Sequence, residues 1–314
     1  MRKNDSTLSA HLMDGSRVPV VVPTRYYAYA SDGKKFSTAA MVEFISACGF
    51  DGMDVSFDLY TDLGNPLCYE DDIYSLLSSL GNMANKKGLS LPSCHLPFYM
   101  PSPDDTSAMK PYLRSLREGI LAAAYLHIPV AVIHPIVRHS SLCNYVKWRE
   151  ENIAYLSPLR ELAETKGVTL AIENMTGIPY PNKPKELVFG SRAKDIRLLA
   201  DKLDCGICWD TGHAHLTGLC QSAELHTVGE RLRMLHIHDN DAQNDAHLIP
   251  MTATEGGVDF ADFAQGLSAV GFGSMAWRCL NLEIKTSHLP SDTQVRAAYA
   301  AKTWVAAKRL AEMI

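Results

Sequence analysis

Eight short, β-rich apolar runs alternate with longer amphipathic stretches, and this rhythm limits what the chain can fold into. The runs are PVVVPT (19–24), DGMDVSF (51–57), LSLPSCH (89–95), PVAVIH (129–134), VTLAIE (168–173), CGICWD (205–210), RMLHIH (233–238) and SMAWRCLNLE (274–283). Around them the pattern predicts helices over 37–48, 71–87, 108–126, 147–166, 191–202, 221–231, 259–270 and 292–312. TAAMVEFISACG and NIAYLSPLRELAETKG carry apolar residues at i, i+3 and i+4, and both end in glycine, a common helix stop. Near-continuous apolar strands separated by helices indicate a parallel sheet covered on both faces. Eight such units in 314 residues suit a single (β/α)8 TIM barrel over residues 1–314, with 1–17 as an N-terminal extension. A doubly wound open sheet is the alternative, but no GxGxxG follows an early strand and no Walker sequence appears.

Composition excludes several classes. With 46% hydrophobic and 21% charged residues the chain reads as an ordinary globular domain. The net charge of −5 weighs against a surface that grips nucleic acid. The opening MRKNDSTLSAHLMDGSR lacks the apolar core of a signal peptide, and no apolar run approaches a membrane span. The expectation is therefore a cytoplasmic protein with no membrane partner. Eight cysteines, Cys48, Cys68, Cys94, Cys143, Cys205, Cys208, Cys220 and Cys279, show no framework spacing and read as reduced core residues. Cys205 and Cys208 form a CxxC, but three residues apart on a strand they point to opposite faces, so core packing is expected over zinc or redox chemistry.

The active site of a barrel lies at the carboxyl ends of its strands. There the runs carry His95, His134, Glu173, Asp210, His236 with His238, and Glu283. Strand parity places Glu173, Asp210, His236, His238 and Glu283 toward the barrel axis, with Ile172, Trp209, Leu235, Ile237 and Leu282 toward the helices. Buried imidazoles and carboxylates converge at such cost only when they are paired or bind a cation. The mixed donor set suits Mn²⁺, Zn²⁺, Co²⁺ or Fe²⁺ better than Ca²⁺ or Mg²⁺. Asp239 and Asp241 read as turn residues. His127, His139, His226 and His288 fall outside the pattern, and His215 is undecided.

GFDGMDVSF, CHLPF, VIHP, AIEN, CWDTGHAH, HIHDND with DAHLIP, GGVDF and NLEI together resemble the xylose-isomerase-like TIM-barrel superfamily across essentially the whole chain. That superfamily includes sugar and sugar-phosphate isomerases and epimerases, inosose dehydratases, hydroxypyruvate isomerase and endonuclease IV. Resemblance to the isomerases and epimerases implies one divalent metal (Mn²⁺, Zn²⁺ or Co²⁺) on Glu173, Asp210, His236 and Glu283. It also implies that Glu173 and Glu283 act as the acid/base pair, that His213 touches substrate and that the partner is a small carbohydrate. Dehydration of an inosose-type keto-polyol is an alternative in the same pocket. Resemblance to endonuclease IV implies instead up to three Zn²⁺ on His95, His134, Glu173, Asp210, His213, His236, Asp245, His247 and Glu283. His238 is expected to touch substrate. The loop NDAQND lacks the arginine that sugar 3-epimerases place after the seventh strand, and no basic, aromatic-studded loops suggest DNA. Arg25, Tyr26 and Tyr27 follow the first strand, where base stacking, sugar stacking and core packing are all open. Arg138, Lys183, Lys185 and Arg192 are candidate phosphate contacts, and a homo-oligomer is left open.

Overall fold

A computed structural model describes residues 17–60, 73–137, 144–180, 183–186 and 188–314. The N-terminal extension up to residue 16, Cys68, Arg138, His139 and Cys143 lie outside the described residues, as do the side chains of Lys183 and Lys185. The strands are β1 (Val20–Pro23), β2 (Gly52–Ser56), β3 (Ser90–His95), β4 (Val130–Ile133), β5 (Thr169–Glu173), β6 (Ile178–Tyr180), β7 (Lys183–Glu186), β8 (Gly206–Asp210), β9 (Leu232–His236) and β10 (Leu280–Asn281). The helices are α1 (Thr38–Ala47), α2 (Ile73–Lys86), α3 (Thr106–Tyr125), α4 (Tyr145–Thr165), α5 (Ala193–Leu203), α6 (Thr211–Leu216), α7 (Gln221–Val228), α8 (Phe260–Ala269) and α9 (Thr293–Met313).

Eight strands form one parallel sheet in the order β10-β1-β2-β3-β4-β5-β8-β9. A bridge between Ile237 and Leu282 joins its two edges, with Ile237 N donating to Asn281 O at 2.9 Å and Glu283 N to Ile237 O at 3.1 Å. The result is the expected (β/α)8 barrel. β6 and β7 form a separate antiparallel hairpin after β5, which the apolar periodicity did not announce.

Two apolar layers follow strand parity. Val21, Val130, Val132, Ala171, Cys208, Met234 and Cys279 pack together as the barrel interior. Ile172, Ile207, Trp209, Leu235, Ile237 and Leu282 belong to the larger layer beneath the helices. Cys205 falls in this outer layer and Cys208 in the inner one, as a three-residue offset on a strand requires. The described cysteines are free. Ser37, Asp105, Asn144, Asp259 and Asp292 each accept a backbone N–H at a helix start, which satisfies donors a helix cannot pair internally. Among the described residues no helix is long and apolar enough to cross a membrane.

Three sequence expectations need correction. The run 274–283 yields only Leu280–Asn281 as strand, because Phe272–Ser274 is a 3₁₀ turn and Met275 starts a further turn. The seventh strand ends at His236, so His238 stands just beyond it. Asp239 is no simple turn residue. It is buried, and its carboxylate accepts four backbone N–H groups: Asn240 at 2.9 Å, Val258 at 2.8 Å, Thr252 at 3.1 Å and Ala253 at 3.2 Å. It thereby ties the long loop after β9 into one body. Asp239→Ala leaves these donors unpaired, with an expected loss of about 2–4 kcal/mol of stability. Urea unfolding checks this, and a midpoint unchanged from wild type contradicts it.

Candidate metal centre

β3, β4, β5, β8, β9 and β10 end at one rim and carry His95, His134, Glu173, Asp210, His236 and Glu283 to it. Glu173 is 1% exposed and lies at the centre. Its Oε2 is 3.2 Å from Nε2 of both His95 and His134. Its Oε1 is 3.1 Å from Nδ1 of His236 and 3.4 Å from Nδ1 of His213. Glu283 Oε2 is 3.3 Å from the same His236 nitrogen and 4.0 Å from His247 Nδ1. Donor atoms of Glu173, Asp210, His236 and Glu283 all fall within 4.8 Å of one another. These are the four residues expected as primary ligands.

The remaining candidates crowd around them. Asp210 Oδ1 is 3.2 Å from His238 Nε2. Asp245 Oδ2 is 3.2 Å from His247 Nε2 and 3.6 Å from His213 Nε2, while its Oδ1 is 3.7 Å from His238 Nε2. The His238 and His247 rings stack with centroids 3.9 Å apart. All ten candidate residues therefore belong to one cluster.

The polypeptide aims these groups deliberately. His95 Nδ1 sits 2.7 Å from the Leu96 carbonyl, His213 Nδ1 2.8 Å from that of Asn174, and His247 Nδ1 2.7 Å from that of Glu283. Each backbone contact occupies one ring nitrogen and turns the other inward, the arrangement metal-ligating histidines use. Asp210 also caps α6, accepting His213 N at 2.6 Å. That cap explains the spacing in DTGH, since the capped N–H is three residues on. His247 adopts a left-handed φ of 47°, and Ala242 and Met251 in the same loop are left-handed as well. Such strain in non-glycine residues clusters at functional sites.

Asp210 Oδ2 and His236 Nε2 are buried without a hydrogen-bond partner, and His236 Nδ1 and His238 Nε2 meet carboxylate oxygens, from 3.1 Å outward, in a geometry that closes no regular hydrogen bond. Orphaned buried polar atoms of this kind are costly, and a cation shared among them removes the cost, so the donor set fits a divalent metal. Electrostatics agree. Burial pushes the Glu173 carboxyl up, but His236 and His134 outweigh it and hold it well below the usual carboxylate range. Burial likewise opposes ionisation at Asp210 and Asp245, and the neighbouring imidazoles win at both. At His236 and His213 burial is outweighed by Cys208 with Glu173, and by Asp210 with Asp245, respectively, so both are raised well above the ordinary histidine value. His247 is raised to about 9 against its burial, chiefly by Asp245. At His134 burial prevails and lowers it.

Sequence reasoning missed three supporting groups. Asn174, the residue after Glu173, accepts Asp210 N at 2.6 Å and donates to Asp210 O at 2.9 Å. Thr211 receives His238 N at 3.1 Å and donates to its carbonyl at 2.9 Å. Asp54 is buried on the row below, bonded to Ser93 and within the field of His236 and His95. Their uncharged or isolated side chains gave no signal by residue type. His215 is resolved as structural, with Nε2 2.7 Å from the Gly256 carbonyl. His226 and His288 are on the surface. His127 lines a cleft of about 770 Å³ beside the starts of β3 and β4, with Tyr125 and Trp277, and the described residues put no carboxylate in its walls.

Fold and donor set define a metal-capable (β/α)8 barrel with its site at the strand carboxyl ends. The chain belongs to the xylose isomerase-like TIM-barrel family, whose model matches residues 42–302. An uncharacterised protein of Methanocaldococcus jannaschii is 30% identical over 190 residues, 57% of this chain and 60% of that protein, so the chain spans about 60% of this curated relative's length. Among solved structures, a D-tagatose 3-epimerase-like protein aligns with a TM-score of 0.68 at 20% identity, covering 94% of this chain and 97% of its own. An L-ribulose 3-epimerase aligns with 0.65 at 15% identity, covering 93% and 95%. A D-psicose 3-epimerase solved in the presence of D-fructose aligns with 0.65 at 12%, covering 93% and 99%. These likenesses show the shared fold.

Two outcomes are expected of the site. Metal uptake by metal-free protein at neutral pH releases protons, because His213 and His236, raised by their carboxylate neighbours, hold a proton that the metal displaces. Apparent affinity therefore falls as pH is lowered. Titration calorimetry in buffers of different ionisation enthalpy measures the release, and zero release contradicts the electrostatics. Second, a Cβ at Gly212 would lie 1.9 Å from His238 Cε1, so Gly212→Ala displaces that ring. The expected loss in metal affinity is about 10- to 100-fold, read by competition with a chelator.

Proposed function

We propose that the protein is a divalent-metal-dependent sugar or sugar-phosphate isomerase or epimerase that abstracts a proton beside a carbonyl. The observation that carries this reading is the pair of carboxylates about His236 Nδ1, Glu173 at 3.1 Å and Glu283 at 3.3 Å. Their environments differ, with side-chain exposures of 1% for Glu173 and 24% for Glu283. Two carboxyl groups in unlike surroundings can take unlike roles in proton transfer. The names of the structural neighbours, two 3-epimerases and one 3-epimerase-like protein, support the same class.

Glu173, Asp210, His236 and Glu283 would hold the metal. A bound divalent cation supplies Lewis acidity, which draws charge from a substrate carbonyl and acidifies the adjacent C–H. Glu283, open to the mouth, takes that proton and leaves an enediolate on the substrate. Glu173, closed to water and held ionised, stands across His236 and serves the other face by passing on a proton from the neighbouring His213, while the proton taken by Glu283 leaves through the mouth and solvent restores that of His213, which gives epimerisation. Return by Glu283 itself to the neighbouring carbon gives isomerisation. His213 and His238, aimed inward by Asn174 and Thr211, contact substrate oxygens. Loss of a hydroxide beside the enediolate instead gives dehydration of an inosose-type substrate.

A second reading has its own support. The nine positions expected from endonuclease IV, including Asp245 and His247, converge in one cluster, as a zinc phosphodiesterase with up to three Zn²⁺ requires. Metal counting separates the two: about one ion per chain supports the first and about three the second.

The test is a metal-supplemented panel of ketoses, aldoses and inososes followed by solvent deuterium uptake at carbon. Uptake is expected with at least one sugar. Glu283→Gln is expected to retain a bound metal and lose activity by about 10²–10⁴-fold. Full activity in that variant removes Glu283 from the acid/base role.

A further inference from the structure

The metal candidates occupy six of the eight strand ends. β1 and β2 contribute none. They continue into 3₁₀ turns, Thr24–Tyr27 and Phe57–Tyr60, which form the remaining quarter of the rim. Tyr26 and Tyr27 are buried in the core, leaving Arg25 as the polar group on that turn. Its Nε donates to Asp58 Oδ2 at 2.6 Å, and an NH2 group meets the same oxygen. The Asp58 side chain is fully covered, while Arg25 keeps 37% of its side chain open. The guanidinium carbon lies 5.2 Å from the centre of the Phe98 ring. Phe98 in turn stands 5.3 Å from the His95 ring and 5.8 Å from that of His134. Tyr99 lies against Phe98 at 4.4 Å. A continuous wall therefore runs from the metal-capable histidines to Arg25.

We propose that Arg25, oriented by Asp58, is a specificity-determining residue that binds the far end of the substrate and selects an uncharged polyol tail over a phosphorylated one. This rests on the isomerase/epimerase reading above. A sugar whose carbonyl end sits between Glu173 and Glu283 extends along this wall. The aromatic face at Phe98 suits the C–H side of a sugar, and guanidinium N–H groups left over from Asp58 and the Tyr99 hydroxyl donate to its hydroxyl oxygens. A terminal phosphate gains little there. The charge of Arg25 is already cancelled by a buried carboxylate, and Glu173, Asp210, Asp245 and Glu283 add negative charge to the same rim. The wall supplies the substrate grip that the arginine-free loop after β9 does not.

The experiment uses the metal-loaded full chain with D-fructose and D-ribulose and with their terminal phosphate esters. Deuterium uptake gives kcat and KM, and calorimetry gives binding. Wild type is expected to prefer the neutral sugars. Arg25→Ala is expected to raise KM for D-fructose about 10- to 100-fold, with kcat changed far less. Arg25→Lys recovers part of the loss, since a single ammonium cannot keep the two-point grip on Asp58. Asp58→Asn leaves the guanidinium charge uncompensated and is expected to shift preference toward the phosphate esters about tenfold. Because Arg25→Ala takes the guanidinium away from a buried carboxylate, the double variant Arg25→Ala/Asp58→Asn serves as the folded control and is expected to show the same KM defect. Unchanged KM in that double variant, a wild-type preference for phosphate esters, or no shift in Asp58→Asn overturns the proposal while leaving the isomerase reading intact. Wild type that exchanges no proton with any sugar overturns the reading and this inference together.

Discussion

A carboxylate with almost no access to water, Glu173, sits at the axis of this barrel among four imidazoles, and much of the rim depends on compensating it. An isolated buried charge costs far more than a fold of this size can spare. Compensation requires that His95, His134, His213 and His236 each present a ring nitrogen to the same two oxygens. Three further carboxylates then share those imidazoles, so no member of the cluster can move alone. Such a network is stiff, which suits a site that must hold reacting atoms in fixed positions.

That stiffness is built from backbone more than from side chains. Histidines 95, 213 and 247 spend one nitrogen each on a main-chain carbonyl. Asn174 fastens the strand end carrying Glu173 to the strand end carrying Asp210. Asp239 gathers backbone from both ends of the loop after β9, and this loop returns His247 to stack on His238. The chain thus accepts left-handed backbone at Ala242, His247 and Met251, and the loop so shaped holds the His247 ring against the Glu283 carbonyl and the His238 ring.

Much of the fold was legible in the sequence because both of its signals are local. Helix periodicity located α1 within a residue at each end, and alternation along β5, β8 and β9 assigned Glu173, Asp210 and His236 to the interior. Less regular features escaped. α6 is only six residues long, and its N-cap, Asp210, is the residue that the sequence reads as a strand end. β10 was overestimated because apolar residues in a turn, such as Met275 and Trp277, look like strand residues when only hydrophobicity is counted. Asn174 and Thr211 escaped because their task, holding other residues' backbone, leaves no mark in residue type.

The sequence by itself determined the barrel and which candidate side chains stand at its strand ends, since a strand's parity and its last residue are properties of the local chain. Tertiary structure alone decided how those donors pair. It placed Asp245 between His213, His238 and His247, gave Glu173 and Glu283 different exposure around one nitrogen, and brought Arg25, Asp58 and Phe98 together from three successive strand ends. These contacts join residues from separate βα units, and their geometry is set by how the barrel closes, a long-range constraint that no local stretch of sequence encodes.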